Sequence, residues 1–338
     1  MKSLATQYRP KTFEEVCSQK SVIKILKRQL ELKQFLNCYL FCGSSGVGKT
    51  TLGRIFANEI NKGKGNPIEI DGASNNGVDN VKAIIKSASE RSVDSEYKVY
   101  IIDECHALTN QAWQAFLKCI EEPPTYTIFL FCTTDPQKIP DTILNRVQRF
   151  NLTRINQKDI KERLEYVCKN EGFKNYEESC DYISKISNGG MRDALAYLDK
   201  ASSYSDDLSI NNVLDALGNY SYDTFFDLTN TIIDGNEEEI INIVDNVFNS
   251  GKDLKLFIDQ YLDCCLDLSK FCLFQDLAVT KFPTSLLEKV KYCTGIENNR
   301  KYFNSLVDKV LDIRNLTKTD SNPKTAITVM LLQFSRGK

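Results

Sequence analysis

The stretch that decides the fold is FCGSSGVGKTTL, residues 41–52. It carries the spacing GxxxxGK[ST] from Gly43 to Thr50, after an apolar run and before a segment with helical periodicity. Glycines let successive backbone N–H groups turn toward one point, and the N-terminus of the following helix adds partial positive charge there. The spacing therefore predicts a loop that wraps the phosphates of a nucleoside triphosphate.

Two side chains of this loop have specific expected roles. We expect Lys49 to reach the β- and γ-phosphates and the hydroxyl of Thr50 to bind Mg²⁺. The other residues expected to contact the nucleotide are Gly43, Ser44, Ser45, Gly46, Val47, Gly48 and Thr51. The alternative is a glycine-rich turn without a ligand, but a position between strand and helix favours the phosphate loop.

A second stretch, VYIIDE at residues 99–104, is an apolar strand that ends in two carboxylates. In phosphate-loop enzymes the first such carboxylate holds Mg²⁺ and a neighbouring glutamate polarises the attacking water. Asp103 and Glu104 fit these roles in that order. The alternative is a strand that ends in a solvated acidic turn. His106 follows closely, and we expect a capping or packing role for it because a lone histidine at a strand-to-helix junction rarely takes part in catalysis.

The order of the segments predicts an α/β region followed by an all-α region. Strand-like runs at CYLFCG, NPIEIDG, YKVYIIDE and YTIFLFCTT alternate with helix-length stretches, as in βαβ units with a parallel sheet. Residues 21–36 have a helical apolar rhythm. From about Arg154 onward the strand pattern disappears and apolar residues recur every three or four positions, with a weak break near residues 206–217.

Composition bounds the class of protein. At 338 residues the chain exceeds what one hydrophobic core usually serves, so two or three domains are expected. The formal net charge is −2, so any binding of nucleic acid must come from a local patch of positive charge. The twelve cysteines show no zinc-ligand spacing and the chain has one histidine, so no zinc site is expected. Neither a spanning apolar run nor a signal peptide is visible, which predicts a cytoplasmic protein without a membrane partner.

Six ordered motifs resemble the gamma/tau family of bacterial DNA polymerase III, which supplies the AAA+ ATPase motor of the sliding-clamp loader. They are YRPKTFEEV, GSSGVGKTTL, EIDGASNNGVDNVK, VYIIDECHALTNQAWQAFLKCIEEPP, FCTTDPQKIPDTILNR and NGGMRDAL. The likeness is dense from residue 4 to about residue 200 and general thereafter. It implies an AAA+ ATPase domain over 1–153, a helical lid over 154–218 and a helical oligomerisation (collar) domain over 219–338.

The resemblance also implies roles for residues outside the glycine-rich loop and the strand VYIIDE. Thr134 stands where the family has sensor 1, a polar group near the γ-phosphate, and Arg192 matches sensor 2, which reaches the phosphates from the lid. Tyr8, Arg9 and Pro10 fall where the N-terminal arm lies against the adenosine. The alternative for Arg192 is a surface charge paired with Asp193 or Asp199.

Arg146 in ILNRVQRF aligns with the family's arginine finger, which completes the site of the neighbouring subunit. An arginine delivered in trans couples hydrolysis to assembly, because its charge reaches the transition state only when subunits are aligned. The alternative for Arg146 is a surface ion pair. The family's Ser-Arg-Cys triplet appears here as Asn145-Arg146-Val147, which keeps the arginine in an altered setting.

Two further departures concern length. The family's zinc-binding insertion is replaced by the short bridge NKGKGNP, in agreement with the cysteine pattern. The chain stops near where the collar should end, so the tail that binds helicase and polymerase is expected to be absent. A compact version of the kind a bacteriophage encodes fits these features.

The resemblance implies a motor that uses ATP and Mg²⁺ within a pentameric ring containing several copies of this chain and other clamp-loader subunits. It would open a sliding clamp and load it onto primer-template DNA. Lys82 and Lys86, on the helix that starts near Gly77, are candidate contacts to DNA phosphates, with a solvated helix face as the alternative. Two other functions stay open: a nucleotide-binding structural subunit without turnover, and a helicase or recombination motor, which would separate strands.

Overall fold

The computed structural model describes residues 3–251, 253–295, 299–317 and 323–336. The chain forms two compact units. The first comprises Met1–Val167 with Ser187–Ala196, and the second comprises Cys168–Ile186 with Tyr197–Lys338. Each unit is therefore assembled from segments that are separated in the sequence.

The first unit contains a five-stranded sheet in the order β2-β3-β4-β1-β5, in which every neighbouring pair is parallel. The strands are β1 (Cys38–Cys42), β2 (Ile68–Asp71), β3 (Lys98–Asp103), β4 (Thr127–Thr133) and β5 (Gln148–Asn151). The first four confirm the strand-like runs of the sequence. β5 was not predicted, because its four residues include a single buried apolar side chain, Phe150.

Helices precede, connect and follow the strands. Their bounds are α1 (Leu4–Gln7), α2 (Lys20–Leu32), α3 (Lys49–Ile60), α4 (Val78–Ala88), α5 (Asn110–Glu121), α6 (Asp141–Leu144), α7 (Gln157–Glu171), α8 (Glu177–Ile186), α9 (Met191–Tyr204), α10 (Ile210–Leu217), α11 (Tyr222–Asp234), α12 (Glu237–Asn249), α13 (Leu254–Phe274), α14 (Leu287–Thr294), α15 (Asn299–Thr317) and α16 (Pro323–Arg336). The expectation of a helix up to Leu36 was wrong by four residues. α2 ends at Leu32 because Lys33 adopts the left-handed conformation, with φ +52°.

The three inner strands, β3, β4 and β1, are buried on both faces of the sheet, as their apolar runs predicted, whereas the edge strands β2 and β5 are mostly exposed. Successive residues of β4 alternate between two cores: Leu130 belongs to the core shared with α2 and α3, and Phe129 and Phe131 to the core shared with α4 and α5. Adjacent side chains of a strand point to opposite faces, so a strand with helices on both sides needs apolar residues throughout. The first unit is thus a three-layer α/β/α structure.

Parallel pairing fixes where the functional stretches meet. The glycine-rich loop follows β1, Asp103 ends β3, and Thr134 comes directly after β4. The carboxyl ends of parallel strands lie at one edge of a sheet, which is where ligands bind in open α/β folds. Since β4 lies between β1 and β3, all three stretches reach the same part of that edge.

The second unit is helical. Among the residues that the structure describes, no strand follows Asn151 apart from an isolated bridge between Lys174 and Asp207. Its core comprises apolar side chains from α11 through α16, among them Phe257, Tyr261 and Phe282. The weak break expected near residues 206–217 was wrong for all but its first four residues, because α10 occupies Ile210–Leu217.

The predicted borders at residues 153 and 218 remain predictions, since the two compact units follow a different division. Within the described ranges, no helix has the length and apolar character needed to cross a membrane.

Candidate active site

The glycine-rich loop joins β1 to α3 and packs against the turn before α9. Gly46 has φ +74°, a left-handed conformation that favours glycine, and its carbonyl accepts a hydrogen bond of 3.0 Å from the backbone N–H of Met191. A Cβ at this position would lie 3.2 Å from the Cα of Gly190 and 3.4 Å from the Cβ of Arg192. Both the conformation and the close packing therefore require glycine at residue 46.

Lys49 begins α3, and its side chain is buried inside the loop. The residue is 6% exposed, and its ammonium donates hydrogen bonds of 2.9 Å to the carbonyls of Gly43 and Ser44. A buried charge needs such partners, because burial removes its hydration. The loop thus holds the ammonium at its own concave side, where Lys49 was predicted to meet the phosphates.

The next side chain, Thr50, lies against the end of β3. Its hydroxyl donates a hydrogen bond of 2.7 Å to Oδ2 of Asp103. A hydroxyl and a carboxylate are oxygen ligands of the kind Mg²⁺ prefers, and Mg²⁺ usually takes only one or two of them from protein, with the rest from phosphates and water. In the described part of the chain, no group of three or more His, Cys, Asp or Glu side chains could hold a metal by itself. The donor set therefore fits Mg²⁺ carried by a nucleotide.

Glu104 sits in a strained position beside this pair. Its φ is +45°, which is uncommon outside glycine, and its backbone N–H donates to Oδ1 of Asp103 at 3.0 Å. The hydroxyl of Thr134 donates to its carboxylate at 3.1 Å. Nδ1 of His106 is 3.2 Å from the same carboxylate oxygen and 3.2 Å from the hydroxyl of Thr133. The structure thus places His106 beside Glu104, a position that the sequence reasoning missed.

Lys49, Thr50, Asp103 and Glu104 line one pocket of the first unit, whereas the predicted site residues Gly43, Ser44 and Thr134 do not line it. The predicted arm residues Tyr8, Arg9 and Pro10 line it together with Ser45, Gly46, Val47, Gly48, Lys49, Thr50, Thr51, Asp103, Glu104 and Arg192. The pocket wall also includes Cys17, Ile155 and Arg163, which lie outside the sequence motifs, and Val16 and Leu195, to which their motifs assigned no role. Burial raises the pKa of the Cys17 thiol, so at neutral pH this wall is apolar apart from Arg163.

Positive charge converges on the pocket. Burial, followed by the neighbouring charge of Arg54, lowers the pKa of Arg9, and Arg192 acts on it in the same direction. The guanidinium of an arginine stays protonated in proteins. Lys49 and three arginines, Arg9, Arg163 and Arg192, therefore line the same space, which suits a polyanionic ligand.

Comparison with known proteins places these features in a family. Residues 66–156 match the model of the DNA polymerase III delta subunit, 159–207 the ATPase lid domain of the DNA polymerase III clamp loader subunit, and 208–291 domain III of DNA polymerase III subunits gamma and tau. The chain is 30% identical to DNA polymerase III subunit gamma of Buchnera aphidicola subsp. Acyrthosiphon pisum, over 73% of this chain and 75% of that protein. The chain belongs to the DNA polymerase III gamma/tau family.

Other gamma/tau relatives differ in length. The chain is 36% identical to DNA polymerase III subunit tau of Bacillus subtilis, over 84% of this chain and 53% of that protein. With the gamma/tau subunit of Mycoplasma genitalium the shares are 88% and 55%. The chain thus spans about half the length of these curated relatives.

The predicted AAA+ fold is also confirmed by solved structures. The Thermotoga maritima RuvB Holliday junction branch migration motor is similar with a TM-score of 0.54 and 23% identity, over 67% of this chain and 79% of that one. At this identity the similarity concerns the fold alone.

Arg192 of this gamma/tau-family chain reaches the pocket from the start of α9. It is the second residue of α9 and lines the pocket together with Lys49. Among the described residues it forms no ion pair with Asp193 or Asp199, the alternative that the sequence left open. Its sensor 2 role stays a prediction.

Arg146 does not line the pocket of its own chain. It follows α6, and its guanidinium forms an ion pair of 2.7 Å with Glu121 and donates at 2.7 Å to the carbonyl of Thr142. Its side chain is 39% exposed. The surface ion pair that the sequence offered as an alternative is therefore present, and the arginine-finger role in the gamma/tau family stays a prediction for this chain.

Lys82 and Lys86 lie on exposed positions of α4, one helical turn apart. Lys82 is 3.8 Å from Asp79, and its side chain is 67% exposed. An exposed pair of this kind contributes little to stability, so it leaves Lys82 available to an external partner, and Lys86 is exposed as well. Their predicted contact with DNA is not tested by the fold.

Proposed function

We propose that this chain is an ATP-hydrolysing motor subunit of a sliding-clamp loader. One observation carries the proposal: in a gamma/tau-family chain, Thr50 donates to Asp103, and Asp103 and Glu104 line the same pocket as Lys49. A subunit that had lost turnover would be free to lose any of these side chains. Their joint retention in one pocket favours an active site over a purely structural role.

The residues divide the chemistry among them. Backbone N–H groups of the loop, Lys49 and Arg192 would bind the β- and γ-phosphates, and Thr50 with Asp103 would hold Mg²⁺. When bound, Mg²⁺ neutralises charge on the phosphate oxygens. Glu104 would orient the attacking water and accept its proton, while the water oxygen bonds to the γ-phosphorus and the bond to ADP breaks.

Contacts around Glu104 support this role. A water-orienting carboxylate must be held in place, since misplaced groups lose much of their catalytic effect. Thr134 donates to the carboxylate and His106 lies at hydrogen-bond distance from it, so two side chains fix its direction. Thr134 would therefore act as sensor 1 through Glu104 as well as near the γ-phosphate.

Arg146 would complete the site of a neighbouring subunit. Its side chain is 39% exposed, pairs with Glu121 and does not line the pocket of its own chain. An arginine that reaches a neighbour's γ-phosphate would stabilise the charge of the transition state only in an aligned assembly. Hydrolysis would then depend on how the copies are arranged.

ATP would drive clamp loading because hydrolysis depends on how the subunits are arranged. We infer that several copies, together with other clamp-loader subunits in a pentameric ring, bind ATP, open a sliding clamp and enclose primer-template DNA. Hydrolysis would weaken the aligned interfaces and release the clamp. Contacts to DNA phosphates, with Lys82 and Lys86 as candidates, would let the assembly act at any primer junction.

The test is the ATPase rate of the chain with partner subunits, clamp and primed DNA, compared with a Glu104→Gln variant. Glu59→Gln, which removes an exposed carboxylate on α3, is the matched control. We expect a rate that rises with primed DNA in the wild type and the control, and is abolished by Glu104→Gln. A wild type that binds ATP without turnover would instead identify a structural subunit, and strand separation would identify a helicase.

A further inference from the structure

Arg163, on α7, joins the N-terminal arm to the wall of the nucleotide pocket. We define the arm as residues 3–10, which include α1. Nη2 of Arg163 donates a hydrogen bond of 2.8 Å to the backbone carbonyl of Tyr8. Its guanidinium carbon lies 5.1 Å from the ring centre of Tyr166, one turn further along α7. The rings of Tyr8 and Tyr166 meet edge to face, with centroids 6.3 Å apart.

The arm needs such a contact to keep its place. α1 has four residues, and a helix of this length is unstable in water without tertiary contacts. Leu4 is the buried side chain of α1. The arm supplies Tyr8, Arg9 and Pro10 to the pocket, so whatever fixes the arm also fixes these three contacts to a nucleotide.

We propose that Arg163 is a positioning residue that holds the N-terminal arm against the bound nucleotide and thereby sets nucleotide affinity. A planar guanidinium donates to a carbonyl while its face packs on an aromatic ring, which an ammonium does less well. Arg163 also lines the pocket, so the same side chain is close to both the arm and the ligand. The inference rests on the proposed nucleotide-binding function.

The proposal predicts that arm order and nucleotide binding are linked. If Arg163 holds the arm in its binding conformation, removal of the guanidinium lets the arm leave, and nucleotide must order it again on binding. Affinity then falls by the fraction of time that the arm is in place. By linkage, nucleotide should slow hydrogen exchange in the arm of the wild type.

The experiment compares Arg163→Ala, Arg163→Lys and the control Lys158→Ala in the full chain. Lys158 is on the same helix, and its side chain is 84% exposed. Binding of a fluorescent ADP analogue gives the affinity, and hydrogen–deuterium exchange of the peptide containing residues 3–12 reports on the arm. The loss of one charge-assisted hydrogen bond predicts at least about tenfold weaker binding for Arg163→Ala. Arg163→Lys should lie between this variant and the wild type, and Lys158→Ala should match the wild type.

Two further readouts separate positioning from direct action. In the assembled complex, Arg163→Ala should raise KM for ATP with little change in kcat, because saturating nucleotide restores the arm. Exchange of the arm should be faster in Arg163→Ala without nucleotide. Unchanged affinity would overturn the proposal, and so would weaker binding with unchanged arm exchange.

Tyr166→Ala covers the case in which Arg163→Ala does not fold, because it removes the ring and leaves the hydrogen bond to Tyr8. It should weaken binding and speed arm exchange by a smaller factor, and wild-type behaviour in both would contradict the proposal. Failure of the wild type itself to bind ADP would contradict the proposed function instead.

Discussion

Gly46 offers a quantitative test of how the phosphate loop positions Arg192. In Gly46→Ala, the new Cβ would meet the Cα of Gly190 at 3.2 Å and the Cβ of Arg192 at 3.4 Å. Gly63→Ala is the matched control, because Gly63 has φ +77° against +74° for Gly46 and lies outside the pocket. Its added Cβ would meet nothing closer than Oδ1 of Asn58 at 4.0 Å.

The two variants should lose similar stability for the same reason. A left-handed alanine costs about 1–2 kcal/mol, and the stiffer unfolded chain offsets about 0.4–1 kcal/mol of that loss. We therefore expect the free energy of unfolding to fall by about 1 kcal/mol in Gly63→Ala. Gly46→Ala should lose slightly more, because Gly190 must also give way.

Only Gly46→Ala should affect the ligand. If the shifted turn costs Arg192 one charge-assisted hydrogen bond to phosphate, binding weakens by about 1.5–3 kcal/mol. That loss corresponds to roughly 10- to 150-fold lower affinity. Urea unfolding measures the stabilities, and titration with a fluorescent ATP analogue measures the affinities. Equal ATP affinity in the two variants would refute the inference that contact between the loop and the turn before α9 positions Arg192.

Three other predictions address the metal, the DNA and the thiols. Thr50→Val removes the hydroxyl that donates to Asp103 and keeps the side-chain shape. ATP should therefore bind this variant no more tightly in Mg²⁺ than in EDTA, and a gain in affinity equal to that of the wild type would contradict the Mg²⁺ assignment. Joint replacement of Lys82 and Lys86 by Ala should abolish stimulation of the ATPase by primed DNA, and the slope of log K for DNA binding against log salt concentration should become less steep by roughly two. Unchanged stimulation would remove both lysines from the interface. Burial raises the pKa of the Cys132 thiol well above 9, so iodoacetamide at mildly alkaline pH should alkylate this cysteine only after unfolding. Alkylated Cys132 in the mass spectrum of the folded protein would contradict this prediction.

Features set by a few consecutive residues could be predicted from the sequence. The spacing of Gly43 to Thr50 located the phosphate loop, because glycine conformations and a helix N-terminus are local properties. The apolar runs of β1, β3 and β4 predicted buried strands, because a sheet covered on both faces needs apolar residues at every position. Asp103 and Glu104 followed from the end of such a run.

Features that depend on distant partners could not be predicted in this way. β5 exists because it pairs with β1, and its own four residues bury little. Arg163 reaches Tyr8 across 155 positions of sequence, and no motif marks such a contact. His106 was visible as a residue, but its place beside Glu104 depends on the left-handed turn at Glu104, which propensities do not predict.

The most direct test of the motor is a mixing experiment with two variants in the assembled complex. Arg146→Ala keeps its own Glu104 but should fail to complete a neighbour's site, whereas Glu104→Gln should be inactive itself yet still supply Arg146. We predict that each variant alone hydrolyses ATP far more slowly than the wild type, and that assemblies containing both recover part of the wild-type rate. A mixture no faster than the separate variants, or full activity of Arg146→Ala alone, would contradict hydrolysis completed between subunits.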